Sequence, residues 1–266
     1  MSTSPYVFTN AQQVSELERL QMIERIFDLA SHQRILASGI AANWHCLEVG
    51  AGAGSIAHWL ATVVGDGGKV VAVDLDTQFM TDMQLPNVEV LQADICRLPP
   101  QENTFDLVHA RYLLIHLPDF EIALTKMIDL LKPGGWLVLE EPDFLAARVI
   151  AGKESACQSV QRVNRAIAQM FASRGMDCAL GARLPAILQE LGLHLRSIQN
   201  DAHLCNGGSG VATMMQLSTR QLAEKYMATG EASQSDLEQY CLFADDPNAW
   251  AIYYASVGII AQKPAV

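Results

Sequence analysis

The chain of 266 residues lacks a run of about 18 consecutive apolar residues, so no membrane span is expected. Its polar start, MSTSPYVFTN, has no apolar core of the kind a secretory leader needs, so none is expected there. Basic residues are scarce: Lys and Arg number 18 against 29 Asp and Glu, a formal net charge of −11. Gripping a phosphate backbone needs a basic footprint, so nucleic acid is not an expected partner. An anionic membrane surface is disfavoured on the same ground. The six cysteines (Cys46, Cys96, Cys157, Cys178, Cys205 and Cys241) lie more than 20 residues apart with no C-x-x-C pair. That spacing sets aside a zinc knuckle or a dithiol motif and fits reduced thiols in a cytoplasmic protein. No H-E-x-x-H or H-x-E pattern occurs, and Gly54-Ser55 runs into Ile56-Ala57 rather than a nucleophile elbow. No metal site is expected.

What remains is a globular composition, 50% hydrophobic and 18% charged, long enough for one or two domains. Apolar residues Leu17, Leu20, Ile23 and Phe27 recur at helical spacing, predicting helix over 11–38. Beyond it, short β-branched runs alternate with helical stretches. Strands are expected at 45–49, 69–73, 88–91, 105–110 and 136–139, with helices at 55–64, 77–83, 112–116 and 121–131. That alternation indicates βαβ units and a mainly parallel sheet. Wholly apolar strands such as VVAV and WLVL fit a sheet covered on both faces. Further helices are expected at 154–174, 183–191, 214–226 and 235–242, with strands at 194–198 and 255–261.

The strongest local signal is Leu47-Glu48-Val49-Gly50-Ala51-Gly52-Ala53-Gly54-Ser55. A strand enters a glycine-rich turn that opens a helix, where backbone amides can meet a ligand at close range. The pattern is G-x-G-x-G, since Ser55 stands where a dinucleotide fingerprint would have its third glycine. Asp74 follows Gly54 by 20 residues and closes the next strand, a place from which a carboxylate can accept from both ribose hydroxyls.

With this loop, the segments VVAVDLD, LQADI, FDLVHAR and LLKPGGWLVLEEPD follow in order. Together they resemble the class I S-adenosylmethionine-dependent methyltransferases. The chain is similar to the ubiquinone/menaquinone-type group, and to bacterial small-molecule methyltransferases of secondary metabolism that open on a YVF-type segment. The resemblance covers roughly residues 44–143 and the end of the chain. It implies an α/β Rossmann-like fold, with a seven-stranded, mostly parallel sheet, helices on both faces, an antiparallel last strand and a helical cap. It implies S-adenosylmethionine as cofactor and a small organic acceptor, a secondary metabolite or its precursor, methylated on N, O or C. Residues 1–40 would form an N-terminal helical lid. Residues 41–266 would form the catalytic domain, with cap insertions at about 146–180 and 206–245. A homodimer is left open.

Residue by residue, the resemblance puts Glu48, Gly50, Gly52 and Gly54 at the methionine part of the cofactor. Asp74 falls at the ribose, Leu75 beside the adenine, and Asp94 with Ile95 at the adenine edge. Ala110 and Arg111 would face the methionine part and the methyl group. Methyl transfer from a sulfonium asks the protein chiefly for orientation, and a base only for some acceptors. His116 is the base candidate, since imidazole titrates near neutrality. Tyr112, Glu141 and Asp143 are substrate-binding candidates, the two acids for a cationic group; His109, inside a strand, reads as a packing residue. Tyr6, Gln12 and Arg19 are candidate lid contacts, and Met170, Phe171, Met214, Met215, Tyr226 and Tyr240 candidate cap linings. The competing readings are an NAD(P)-dependent oxidoreductase, a methyltransferase-like binding protein, and a cyclase on the same scaffold.

Overall fold

The computed structural model describes Phe8, residues 13–99 and residues 103–265. The chain opens with α1 (Gln13–Ala37) and then alternates: β1 (His45–Val49), α2 (Ser55–Val64), β2 (Lys69–Asp74), β3 (Val88–Gln92), β4 (Phe105–Arg111), α3 (Phe120–Leu130) and β5 (Leu131–Asp143). A second run follows: β6 (Arg148–Ala151), α4 (Glu154–Ala172), α5 (Leu180–Glu190), β7 (His194–Asp201), β8 (Cys205–Asn206), α6 (Gly210–Gln221), α7 (Ala223–Met227), α8 (Gln234–Asp245), β9 (Trp250–Ile252) and β10 (Ala255–Gln262).

Seven strands form one sheet in the order β3-β2-β1-β4-β5-β10-β7. The first five run parallel, and β10 is antiparallel to both β5 and β7. This is the strand order and direction that the resemblance implies, with an antiparallel last strand. Its strands alternate between two buried faces. Cys46, Val70, Leu107 and Val138 pack with Ile35 of α1 and Leu60 of α2, while Leu47, Val108, Leu137 and Ile259 pack with Leu124 of α3 and Leu184 of α5. Burial on both sides is why these strands read as continuous apolar runs. Glycines bound α2: Gly54 precedes it at φ +93° and Gly65 follows at φ +67°. The Asn87 amide donates to Ala61 O and Gly65 O at 2.9 and 3.0 Å, a second bond for each of two carbonyls that close the helix end.

Over the carboxyl ends of β4 and β5 sits a third apolar cluster, built from α4, α6, α7, α8 and the middle of α1. Its helices are specified by ordinary means. Ser233 and Asp236 form a reciprocal capping box that starts α8. The same Asp236 carboxylate accepts from Arg162 and Ser159 of α4, locking the two helices together.

Two expected helices shrink. Residues 77–83 yield one 3₁₀ turn, Gln78–Met80, and 112–116 another, Leu114–His116. Segments this short bear the cost of helix nucleation for few hydrogen bonds. A small sheet in the order β6-β9-β8 was not expected. Its strands span two to four residues, too short for alternation to show. No helix among the described residues is long and apolar enough to cross a membrane.

Candidate active site

A cavity of about 680 Å³ opens where the parallel strands end, walled on one side by the glycine loop and on the other by the cap. Gly50 and Ala51 both donate to Val73 O, at 2.8 and 3.1 Å, which ties the loop to β2. Gly50 and Gly52 hold φ of +74° and +58°, conformations that side chains resist. A Cβ on Gly52 would meet Leu20 of α1 at 3.4 Å, so the helix lies directly over the loop. The Asp74 carboxylate accepts from Gly52 N at 2.8 Å and Asp76 N at 3.0 Å. Burial raises its pKa, and these amides oppose the rise. At the end of β3, Asp94 accepts from Cys96 N at 2.9 Å, which holds the turn carrying Ile95.

Glu48, Gly50, Gly52, Asp74, Leu75, Asp94, Ile95 and Arg111 all line the cavity, so the structure brings these eight positions together. Two others placed with them do not line it. Gly54 starts α2, and a Cβ there would run into Met83, so its role is packing. Ala110 points to the opposite sheet face, into the core beneath α3 and α5. Strand alternation decides this: Arg111 faces α1, and its neighbour faces away.

Beneath the loop lies a chain of buried charges. His109 sits beside Glu48 in the β1–β4 register. Its Nδ1 is 2.6 Å from a Glu48 oxygen and its Nε2 is 3.2 Å from Glu140. Arg34 of α1 donates to Glu140 at 2.6 Å and also pairs with Asp201 of β7. Arg111 is likewise spent on α1, donating to Asp28 at 2.9 Å and Ser31 at 2.8 Å. The expectation that His109 only packs is therefore corrected: a histidine between two buried acids is an ionic hub.

The other half of the cavity is aromatic. Tyr112 lines it at φ +54°, its amide donating to Glu140 O at 2.8 Å and its hydroxyl to Ser256 at 2.9 Å. Phe144 and Phe171 stack with centroids 5.6 Å apart, and Tyr254 lies 5.4 Å from Phe144. His116 also lines this half, 6.2 Å from the rings of both Phe8 and Phe171. Burial first, then the Arg19 charge, pushes its imidazole down to about 3. Such a ring stays neutral at pH 7 and takes up a proton weakly.

Glu141 and Asp143, expected to meet a cationic acceptor, face elsewhere. Glu141 accepts from the amides of Leu113, Leu114 and Ile115 at 2.9, 2.7 and 3.3 Å, capping the turn that holds His116. Burial pushes its carboxyl up to about 8 against those three donors. Asp143 caps the next turn through Leu145 N at 2.9 Å. Neither lines the cavity. Of the cap residues, Phe171, Met214, Met215 and Tyr226 line it, as does Arg19, whereas Met170 and Tyr240 are core. Tyr6 and Gln12 lie outside the described residues. Phe144 and Tyr254 were missed. Each sits just beyond a strand end at the ligand-bearing edge, and that position was the available signal.

A family profile described as methyltransferase domain matches residues 47–139. Over that segment the sequence is similar to the methyltransferase domains. The matched segment runs from β1 to the middle of β5 and contains the glycine loop, Asp74, Asp94 and Arg111. The methyltransferase str2 of Strobilurus tenacellus is 28% identical over 197 residues, covering 71% of this chain and 68% of that protein. The ubiquinone/menaquinone biosynthesis C-methyltransferase UbiE of Teredinibacter turnerae is 33% identical over 112 residues, 39% of this chain and 45% of that protein. A Haemonchus contortus phosphoethanolamine N-methyltransferase, solved with S-adenosyl-L-methionine, superposes with a TM-score of 0.55 at 18% identity, over 92% of this chain and 56% of that one.

The matched segment fits an adenosyl cofactor by the chemistry of its own groups. Asp74 presents two carboxylate oxygens at a strand end, suited to a diol. Asp94 and Ile95 place an acceptor beside a backbone donor, the pair an adenine edge requires. Glu48 brings a buried carboxylate and the loop brings glycines without Cβ atoms to a single wall. The cap, by contrast, lies outside the matched segment, as does every cavity residue contributed by α1, α4, α6 and α7.

Proposed function

We propose that the protein methylates a small, largely apolar acceptor that carries a ring and an oxygen function. The observation behind this reading is the division of one continuous cavity. Carboxylates and glycines form one half, and Tyr112, Phe144, Phe171, Met214 and Tyr254 the other. Bound S-adenosylmethionine would supply an electrophilic methyl group on a sulfonium. Asp74 would hold the ribose, Asp94 and Ile95 the adenine, and Glu48 with the Gly50–Gly52 loop the methionine part. The cap would then orient the acceptor and exclude water, which is most of what an in-line displacement needs.

The acceptor half offers rings for stacking and a few neutral polar groups. The Tyr112 and Tyr254 hydroxyls are hydrogen-bonded to each other, and both residues line the cavity. An oxygen or nitrogen of the acceptor would lie beside this pair. His116, neutral at pH 7, would accept a hydrogen bond and position the acceptor rather than drive its ionisation. Arg19, Leu20 and Ile23 of α1 wall both halves, so α1 would act as the lid. A metabolite-sized acceptor agrees with the cavity volume, and the acidic charge balance disfavours nucleic acid.

The test is incubation with methyl-deuterated S-adenosylmethionine and a panel of phenols, hydroxyquinones, aryl amines and charged aliphatic amines and acids, read by mass spectrometry. A labelled product from a hydroxylated ring supports the reading. Labelling only of aliphatic, charged acceptors would overturn it.

A further inference from the structure

Five side chains from five elements form one line beneath the cofactor half, buried except at its Asp201 end: Glu48 (β1), His109 (β4), Glu140 (β5), Arg34 (α1) and Asp201 (β7). Their charges alternate. Glu48, His109 and Glu140 are all under 5% exposed, and so is Arg34. Of the line, Glu48 lines the cavity and Arg34 does not. Gly258 of β10 makes room for the line, since a Cβ there would collide with the Arg34 guanidinium.

We infer that His109 is a positioning residue whose doubly protonated ring bridges Glu48 and Glu140, and that this line couples the seating of α1 to the grip of Glu48 on the cofactor. It rests on the cofactor reading above. The geometry leaves little alternative for the ring. Both nitrogens face carboxyl oxygens, and ionised carboxylates only accept, so a ring bridging two of them donates from both nitrogens. A neutral ring would aim a lone pair at one carboxylate, in a place where mispaired charge is costly. Burial opposes a charged ring, but Glu48 and Glu140 outweigh it and push His109 up to about 9. Burial would also raise Glu140, but the His109 bond and the charges of His109, Arg34 and Arg111 hold it below its ordinary value. The remaining groups around the line are Asp28 and His32 of α1, Arg111 of β4, and Gln199 of β7, which accepts from Arg34 at 3.1 Å. Burial raises the Glu48 carboxyl above its ordinary value, and the charge and hydrogen bond of His109 oppose that rise. Held this way, Glu48 is fixed in place and its ionised form, fit to receive an ammonium group, is favoured over what burial alone would allow.

Two measurements test the coupling. The first needs no variant. In the ¹⁵N spectrum of the intact protein at neutral pH, His109 should show two protonated nitrogens, and a single protonated nitrogen would overturn the inference. The second is calorimetric titration of S-adenosylhomocysteine into wild type, Arg34→Met and His109→Gln. Arg34→Met should weaken binding tenfold or more although the residue lies outside the cavity. His109→Gln should bind more weakly than wild type, with the deficit shrinking as rising pH ionises Glu48 unaided. Folded variants that bind like wild type at every pH would show the line to be scaffolding only. If wild type itself binds no adenosyl ligand, the cofactor reading fails, and the ring spectrum still decides the state of His109.

Discussion

The amide of Gly52 donates to the carboxylate of Asp74 at 2.8 Å, so the loop that faces the cofactor half and the acid that ends β2 are one hydrogen-bonded unit. The Asp74 oxygen that accepts from Gly52 and the one that accepts from Asp76 each retain a lone pair for a ribose hydroxyl. On the proposed reading, removing the side chain would remove two ligand contacts and free the loop. Asp74→Ala should weaken S-adenosylhomocysteine binding by about 2–3 kcal/mol, the range for hydrogen bonds to a charged group. Isothermal calorimetry reads it, and a change under threefold would remove Asp74 from the ligand.

Gly54 and Gly52 should separate stability from binding. Both hold positive φ, yet only Gly52 lines the cavity. Gly54→Ala should destabilise the protein by about 1–3 kcal/mol through backbone strain and the clash with Met83, leaving the affinity of the folded fraction intact. Gly52→Ala should weaken affinity as well, because its new methyl group lies under Leu20. Denaturant melts paired with calorimetry distinguish the two.

Much of this was legible beforehand, for physical reasons. The glycine loop and the two acids at strand ends are local: a few adjacent residues carry the turn, its φ values and the carboxylate. The parallel sheet was legible because its strands are buried on both faces and read as apolar runs. The charge line was not. Its partners are up to 167 residues apart, between Arg34 and Asp201, and no local pattern joins them. One clue was present: Glu48 and Glu140 each directly follow apolar residues inside a strand, and a buried acid needs a partner. Alternation was also available and unused. It sends Glu140 towards α1 and Glu141 towards the opposite face, where Glu141 caps a turn and cannot meet an acceptor.

That correction carries its own prediction. Glu141→Ala leaves three amides without an acceptor and should cost about 2–4 kcal/mol of stability. Once an acceptor is known, KM measured with Glu141→Gln should stay within about twofold of wild type, since the amide oxygen still accepts from the turn. A large rise in KM with unchanged stability would return Glu141 to the acceptor site.

His116 should make the protein acid-sensitive. Its folded-state pKa lies near 3 against an ordinary 6.5, so the unfolded chain takes up a proton that the folded one refuses. Its contribution to stability is whole above about pH 6.5 and falls as the pH drops towards 3. The slope reaches at most about 1.4 kcal/mol per pH unit. His116→Phe should flatten the stability profile between pH 6.5 and pH 4 in urea melts. Parallel profiles for the two proteins would show that the ring is solvated when folded.

The central claim is that the strand-end carboxylates and the glycine loop hold an adenosyl cofactor. It is tested most directly by titrating S-adenosylmethionine, S-adenosylhomocysteine and NADH into wild type and Asp74→Ala. The account predicts that both adenosyl ligands bind wild type, that both are weakened by the substitution, and that NADH does not bind. NADH binding without the adenosyl ligands would contradict it.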